Sequence, residues 1–395
     1  KLFQRLILKK PKLVIMVDCG STSYEAINYL NEHNIKSIII DHHEINKPYP
    51  KSDALINPKK KINNKDHTLL CATALTYFFI DILIKKNKSN FKLSKYLIYV
   101  LLATVCDVMP LRKINKIIAQ NAINDFKIND SDAISFIFDK YQLKKRITIE
   151  ELGFLIGPII NAGGRLNHSN YGVELLSSDN HKIIKDRLIK LIKLNDKRKK
   201  IEENILKEID FNKIKNDNKK VVIYYKSNIN EGLIGIIAAR LKDHFDKPSI
   251  VITTSNNLLK ASARSTSNYN IGNLIKSLID NKIIEKGGGH NMAAGFTIKK
   301  DNIKLLDDFI QNDYSKKISS KINLLKYDFE LSLSAINNKL MKELNKLGPF
   351  GNTNLLPTVL IKNVKIIKLD IIKNKHISAI IKHDIGKSIQ TICFN

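Results

Sequence analysis

Residues 12–18, KLVIMVD, and 37–41, SIIID, are two short apolar runs that each stop on an aspartate. Each has the length and continuous apolar character of a strand buried on both faces of a parallel sheet. A parallel pair needs a crossover, and the 23 residues from Asp18 to Asp41 (41 − 18) leave room for one helix. The intervening segment can supply it. Thr22 and Glu25 have capping-box spacing, and Tyr24, Ile27, Tyr29 and Leu30 give a buried face up to about His33. Two strands joined in this way finish on the same edge. Asp18, Asp41, His42, His43 and Glu44 of DHHE are therefore expected where open α/β sheets bind ligands, outside the carboxyl ends of the strands.

Further along, residues 69–84 and 94–106 are apolar and helix-length, and the second, SKYLIYVLLATVC, delivers Asp107 ahead of Pro110. In GFLIGPIINAGGRLNHS, residues 153–169, Gly157, Pro158, Gly163 and Gly164 mark a loop. Residues 181–217 are charged and free of Gly and Pro, as expected of one long helix linking two domains. A second strand, helix, strand unit follows: VVIYY at 221–225, a helix at 232–244 and PSIVIT at 248–253. KASAR at 260–264, a helix near 271–281 and a loop KGGGH at 286–290 come next. From about 322 the pattern shifts to short alternating segments around LGPFGN, 347–352, which suits a small β domain.

The length of 395 residues allows two or three such domains, each with its own core. No apolar run approaches the roughly 18 residues of a membrane span. Cys19, Cys71, Cys106 and Cys393 are far apart and form no CxxC pair, which fits a reducing compartment, the cytoplasm by default, and argues against a zinc ribbon. The net charge of +28 would draw polyanions, nucleic acid first among them. Lys, Ile and Asn crowd the whole chain, however, as in A+T-biased coding, so the charge is discounted in part as evidence. The same bias makes arginine informative. Only eight of the 66 basic residues are Arg (5, 112, 146, 165, 187, 198, 240 and 264), and they are expected where a planar fork matters.

Asp18, His42, His43 and Asp107 offer carboxylates and imidazoles, a ligand set for Mn²⁺ or Mg²⁺. A single aspartate at a strand end is more often a helix cap, whereas two adjacent histidines after a strand can both be aimed inward once the chain turns. Gly287, Gly288 and Gly289 before His290 let backbone approach an anion, either as a phosphate nest or as a plain flexible loop. Ser262 and Arg264 alternate on an expected strand, so a hydroxyl and a guanidinium share one face, for phosphate or for solvent.

Taken together, VDCG at 17–20, DHHE at 41–44, TVCDVMPL at 104–111, GPIINAGGRL at 157–166, EGLIGIIAARL at 231–241, SARS at 262–265, GGGHNMAAG at 287–295 and LGPFGN at 347–352 resemble the DHH phosphoesterase superfamily, and most closely its single-strand-specific exonucleases. The resemblance implies an α/β chain in four parts: a DHH parallel-sheet domain over 1–178, a linker helix over 179–218, a DHHA1 substrate domain over 219–315 and a partial OB-like β barrel over 320–395. It implies that Asp18, His42 and Asp107 ligate metal, with Asp41 and His43 supporting them or meeting phosphate. Arg165, Ser262, Arg264 and His290, with Gly288, Gly289 and more weakly Asn161, would hold the nucleic acid. Two Mn²⁺ or Mg²⁺ ions would then serve 5′ to 3′ hydrolysis of single-stranded DNA in repair and recombination, by a monomer working with a single-strand-binding protein and a RecQ-type helicase.

One element of the family pattern is missing. An acidic DxD strand should precede VDCG, and KLFQRLILKKPK at 1–12 contains no acid. With Lys1 at the start and TICFN stopping inside a strand-like pattern, both natural ends are expected to lie beyond the sequence, and hydrolysis by residues 1–395 is expected to be poor although binding survives. Two other readings remain: a DHH phosphodiesterase of short oligonucleotides, which would not need LGPFGN, and an inactive relative that only binds single strands, which would not need DHHE.

Overall fold

The computed structural model describes residues 2–60, 65–143, 146–255, 258–318, 326–372, 376–383 and 386–394. Two compact units divide the chain: Lys1–Ser131 with Leu143–Gly157 and Leu325–Asn395, and Asp132–Gln142 with Pro158–Leu324. The expected start of the third domain at 320 and the last residue of TICFN lie outside the described residues.

In the first unit, β1 (Leu13–Val17), β2 (Lys36–Ile40) and β3 (Ala54–Ile56) form a parallel sheet in the order β1-β2-β3. The register pairs Val17 with Ile40 and Ile40 with Ile56, so the three strands end level. Asp18, Asp41 and Asn57 are the next residues of the chain at that edge. The crossover helix is Tyr24–Glu32, with Ile27 and Leu30 fully buried against Met16 and Ile39. Its N-cap is Ser23, and no side chain caps it, contrary to the box expected at Thr22 and Glu25. The chain first turns at Gly20, whose φ of 114° only glycine takes freely, and Ser23 N–H closes that turn on the Gly20 carbonyl. The helix therefore starts too late for Glu25 to reach back. β1 also departs from expectation: Leu13, Ile15 and Val17 on one of its faces stay 43–48% exposed. β2, the central strand, is the one buried on both faces, with Ser37, Ile39 and Ile40 all at 1% or less.

Helices Ala72–Lys86, Leu97–Cys106 and Ile114–Asp125 build the adjoining layer, where Ile40, Leu75, Val100 and Ile118 meet in one core. The glycine-rich segment expected as a loop is instead helical. A turn at Ile149–Glu151 runs through a π-helical stretch, Leu152–Ile156, into helix Gly157–Arg165. Pro158 is tolerated because the wide turn precedes it, and the glycines serve contact rather than flexibility. A Cβ on Gly157 would lie 2.5 Å from Cys106 Sγ, and one on Gly163 2.6 Å from the His168 carbonyl oxygen.

Residues 326–394 carry β9 (Phe329–Glu330) beside β10 (Val359–Leu360), helix Asn338–Lys346, and an antiparallel sheet of β11 (Lys365–Ile372), β12 (His376–Lys382) and β13 (Ile389–Cys393). Among the described residues these sheets are open and close into no full barrel, with β9 and β10 paired over two residues only, in keeping with the partial barrel expected.

The second unit holds a five-stranded mixed sheet in the order β4-β5-β6-β8-β7: β4 is Val222–Tyr225, β5 Ser249–Ser255, β6 Leu258–Arg264, β7 Lys286–Gly289 and β8 Ala293–Ile298. Helix Glu231–Phe245 covers one face through Leu233, Ile237 and Leu241, and helix Ile271–Asp280 the other through Leu274 and Leu278. The run expected as the loop KGGGH is strand β7. Its glycines let it approach β8: a Cβ on Gly289 would meet Ala294 at 2.5 Å, and one on Gly287 would meet Phe296 Cβ at 2.8 Å. The long charged helix ends at Glu208, short of the expected 217, because Asp210 caps a new helix, Phe211–Asn216, by accepting from Lys213 N–H. Among the described residues all four cysteines are free, and no helix is long and apolar enough to cross a membrane.

Candidate metal centre and anion site

At the level edge of the three-stranded sheet, His42 Nε2 lies 3.3 Å from Asp18 Oδ1 and 3.2 Å from Asp107 Oδ2. Asp18 follows β1 and Asp107 is the C-cap of helix Leu97–Cys106, so three elements converge on one imidazole nitrogen. His42 is buried, whereas the side chains of Asp18 and Asp107 are 65% and 48% exposed, which leaves the cluster open to solvent. Asp18 has φ 61°, a left-handed conformation that aspartate tolerates better than most residues. Ligand atoms of Asp18, His42 and His43 all lie within 4.8 Å of one another. Two carboxylates crowding one nitrogen need a cation or proton among them, and oxygen with imidazole donors at this spacing suit a divalent ion.

Asp41 has a different task. It is 1% exposed and accepts from the N–H groups of Ser21 (3.0 Å), His42 (2.8 Å) and His43 (3.2 Å) and from His43 Nδ1 (2.7 Å). Burial works to raise its pKa, but the hydrogen bonds from His43 and Ser21 outweigh that and hold the carboxyl well below the ordinary range. The same bond to Asp41 raises the pKa of His43. The bond from Nδ1 to Asp41 fixes the orientation of the His43 ring. Asn57 completes the bracket, its amide donating to Ser21 Oγ at 2.8 Å and to the His43 carbonyl at 2.9 Å. Neither Ser21 nor Asn57 stands out in the sequence. Asn57 follows a third strand only three residues long, too short to leave a periodic trace, although INP at 56–58 is a strand-to-turn signal.

In the second unit Arg264 Nη1 donates to Ser262 Oγ at 3.2 Å and to the Ala263 carbonyl at 2.8 Å, and Arg165 Nη1 donates to the Gly232 carbonyl at 3.3 Å. None of these acceptors is charged. Burial lowers the pKa of both guanidinium groups, and each feels another cation, Arg165 that of Arg198 and Arg264 that of Arg165. The Glu202 carboxylate works the other way on Arg165, and two half-buried arginines hydrogen-bonded to uncharged acceptors are suited to an anion. Helix Glu231–Phe245 gives them room with glycines one turn apart: a Cβ on Gly232 would meet the Arg165 backbone at 2.4 Å, and one on Gly235 would meet Arg264 Nη2 at 2.9 Å and Ser262 Oγ at 3.1 Å. The i, i+3 spacing of the glycines in EGLIG is the sequence signal for this role, one that the motif reading above does not use.

Gly295 pairs with Ser262 on one side and Gly288 on the other, so only a glycine separates the SAR and GGG strands. Being extended, β7 sends successive N–H groups to opposite sides, and the phosphate nest considered for Gly288 and Gly289 does not form. Gly288 instead faces open space, with nothing within 4 Å of a would-be Cβ. His290 is exposed and its N–H donates to the Ala293 carbonyl at 2.8 Å. Asn161 is exposed on helix Gly157–Arg165, four residues from Arg165 and so on the same side of that helix.

Three family descriptions match in chain order: DHH family, N-terminal domain over 1–104, DHHA1 domain over 218–316 and RecJ OB domain over 327–395. Residues 1–104 match the DHH family, and the three matches together give the chain a RecJ-type domain order. It is 25% identical over 371 residues to the single-stranded-DNA-specific exonuclease RecJ of Haemophilus influenzae, covering 87% of this chain and 64% of that protein. The Bacillus subtilis RecJ is 25% identical over 366 residues, covering 89% of this chain and 44% of the relative. The chain thus spans less than two thirds of these relatives. The structure of RecJ from Thermus thermophilus in complex with Mn²⁺ superposes with a TM-score of 0.84 at 18% identity, over 99% of this chain and 60% of the other, which establishes the shared fold.

Proposed function

We propose that this RecJ-type chain hydrolyses the phosphodiester bonds of single-stranded DNA, working from the 5′ end, with Mn²⁺ or Mg²⁺ bound at Asp18, His42 and Asp107. The observation that carries the reading is the meeting of two carboxylates within 3.3 Å of one buried imidazole nitrogen at the sheet edge. Relatives named single-stranded-DNA-specific exonucleases, and a like-folded RecJ in complex with Mn²⁺, support it. Metal held by these residues would supply an activated water and neutralise charge developing on the scissile phosphate.

The protein's own groups do the rest. Asp41 fixes the His43 ring by its Nδ1, so that His43 can support the metal ligands or meet phosphate, while its grip on the His42 N–H holds the turn that aims His42 at the carboxylates. Arg264 and Ser262 would take a backbone phosphate, the guanidinium bidentately, with Arg165 supporting the same negative charge. Asn161, Gly288, Gly289 and His290 are proposed as further contacts with the strand, which fits their exposure. Hydrolysis is assigned to residues 1–178, linkage to 179–218, substrate holding to 219–315 and single-strand binding to 320–395. A RecQ-type helicase that frees single strands and a single-strand-binding protein that coats them are the proposed partners, in the cytoplasm.

The test is Mn²⁺-dependent release of nucleotides from a 5′-labelled single strand by His42→Ala and Asp107→Ala. Each should lose at least about a hundredfold in rate, as expected when a metal ligand is removed, while binding to the same oligonucleotide in EDTA stays unchanged. Undiminished hydrolysis in both variants would refute the assignment.

A further inference from the structure

Asp107 leaves its helix through a strained turn, and a residue more than two hundred positions away holds that turn in place. Val108 N–H donates to the Val105 carbonyl at 3.1 Å and Met109 N–H to the Thr104 carbonyl at 3.0 Å, the paired bonds of a Schellman ending. The residue after the cap in such an ending is left-handed and is usually Gly or Asn. Here it is Val108, with φ 54°. A β-branched residue is a marked outlier in that conformation, and it persists only where its surroundings over-determine it. The Val108 side chain provides no such hold, being 65% exposed.

The hold comes from the LGPFGN segment of the same unit. Asn352 donates from Nδ2 to the Val108 carbonyl, and the Asn352 carbonyl accepts from Leu111 N–H at 2.7 Å. One residue thus ties down both ends of the 108–111 turn. Its own loop is rigidly built. Gly351 and Asn354 exchange backbone bonds at 2.9 and 3.0 Å, Asn354 Nδ2 donates to the Pro349 carbonyl at 2.8 Å, and Gln120 Nε2 donates to the Gly348 carbonyl at 3.0 Å. Gly351 must lack a side chain for this docking, since a Cβ would lie 2.9 Å from Leu111 Cδ2.

We propose that Asn352 is the positioning residue for Asp107: by holding Val108 left-handed it sets where the Asp107 carboxylate stands beside His42. The inference rests on the metal reading of Asp107 given above. It assigns LGPFGN a second role beyond its place in the C-terminal segment, a brace on the metal centre.

Mn²⁺ binding, followed by the electron paramagnetic resonance of free Mn²⁺ during titration, tests this without any turnover. Asn352→Ala should bind Mn²⁺ about tenfold more weakly than the parent, the scale seen when a residue orienting a metal ligand is lost. Adding Val108→Gly should return the affinity to near the parent value, because glycine takes φ 54° without strain and no longer needs the brace. A purely structural loss would not be rescued in that way. The same pair of measurements on Asn352→Ser guards against one variant failing to fold. Parent-like Mn²⁺ affinity in both Asn352 variants would overturn the proposal, as would weakened binding that Val108→Gly leaves unrepaired. A parent protein that binds no Mn²⁺ would remove the metal reading itself and this inference with it, a result distinct from the other two.

Discussion

Replacing Gly235 by alanine isolates what the Arg264 fork contributes. The added Cβ would stand 2.9 Å from Arg264 Nη2 and 3.1 Å from Ser262 Oγ, with no backbone atom among its near contacts. Ordinary contact begins near 3.4 Å, so the guanidinium must retreat by about half an ångström, and a flexible side chain does this more cheaply than a helix moves. Helix propensity acts in the opposite direction, alanine being favoured over glycine in a helix interior by roughly 0.5–1 kcal/mol. The two effects on folding should nearly cancel. Binding has no such compensation, because phosphate recognition by a bidentate fork depends on placement to about half an ångström. Losing one charge-assisted hydrogen bond costs about 1.5–3 kcal/mol, which is about ten- to a hundredfold in affinity. The assay is fluorescence anisotropy of a labelled single-stranded oligonucleotide in EDTA at fixed salt, beside a urea unfolding curve. Unchanged affinity would refute the phosphate role of the Arg264 and Ser262 pair. A loss of stability above about 2 kcal/mol would show instead that the helix had shifted, and that the contact reasoning was wrong.

Two further outcomes are expected in the second unit. Glu202, 6% exposed, accepts from Arg198 at 2.8 Å and Arg240 at 2.7 Å, so Glu202→Ala strands the charge of Arg198, whose side chain is 12% exposed, and should cost about 3 kcal/mol in urea unfolding; less than about 1 kcal/mol would mean the network is already solvated. Tyr269 is buried and donates to Asp313 at 2.6 Å, and burial first, then that bond, raises its pKa. A raised folded-state pKa favours the protonated phenol, so its contribution to stability is complete below the unfolded value near 10 and is lost as pH rises beyond it. Stability measured from about pH 9 to 11 should therefore fall more steeply in the parent than in Tyr269→Phe, by up to about 1.4 kcal/mol per pH unit, and parallel curves would contradict this.

What the sequence makes legible follows from what leaves a periodic or compositional trace. The strand, helix, strand unit is readable because its apolar runs and 23-residue spacing admit little else, and the level ends of β1 and β2 then place Asp18 beside DHH. Arginine scarcity points to Arg165 and Arg264, whose bonds in the structure go to uncharged acceptors. Several of the errors concern glycine. At Gly157, Gly163, Gly287 and Gly289 the sequence suggests freedom of the backbone, and in each case the neighbouring atoms, within 2.5–2.8 Å of a would-be Cβ, show that the residue serves close packing inside a helix or strand. Packing of that kind depends on partners distant in sequence, which no local pattern records. The same limit hides Asn57 and Asn352. Both act on the edge through a pair of hydrogen bonds, Asn57 on Ser21 Oγ and the His43 carbonyl and Asn352 on the Val108 carbonyl and the Leu111 N–H, and a polar residue in a loop looks the same from sequence whether or not it makes such bonds. Val108 is the one local clue. A valine placed where a helix ending calls for glycine implies that something outside the segment compensates, and a search for that partner leads from Asp107 to LGPFGN.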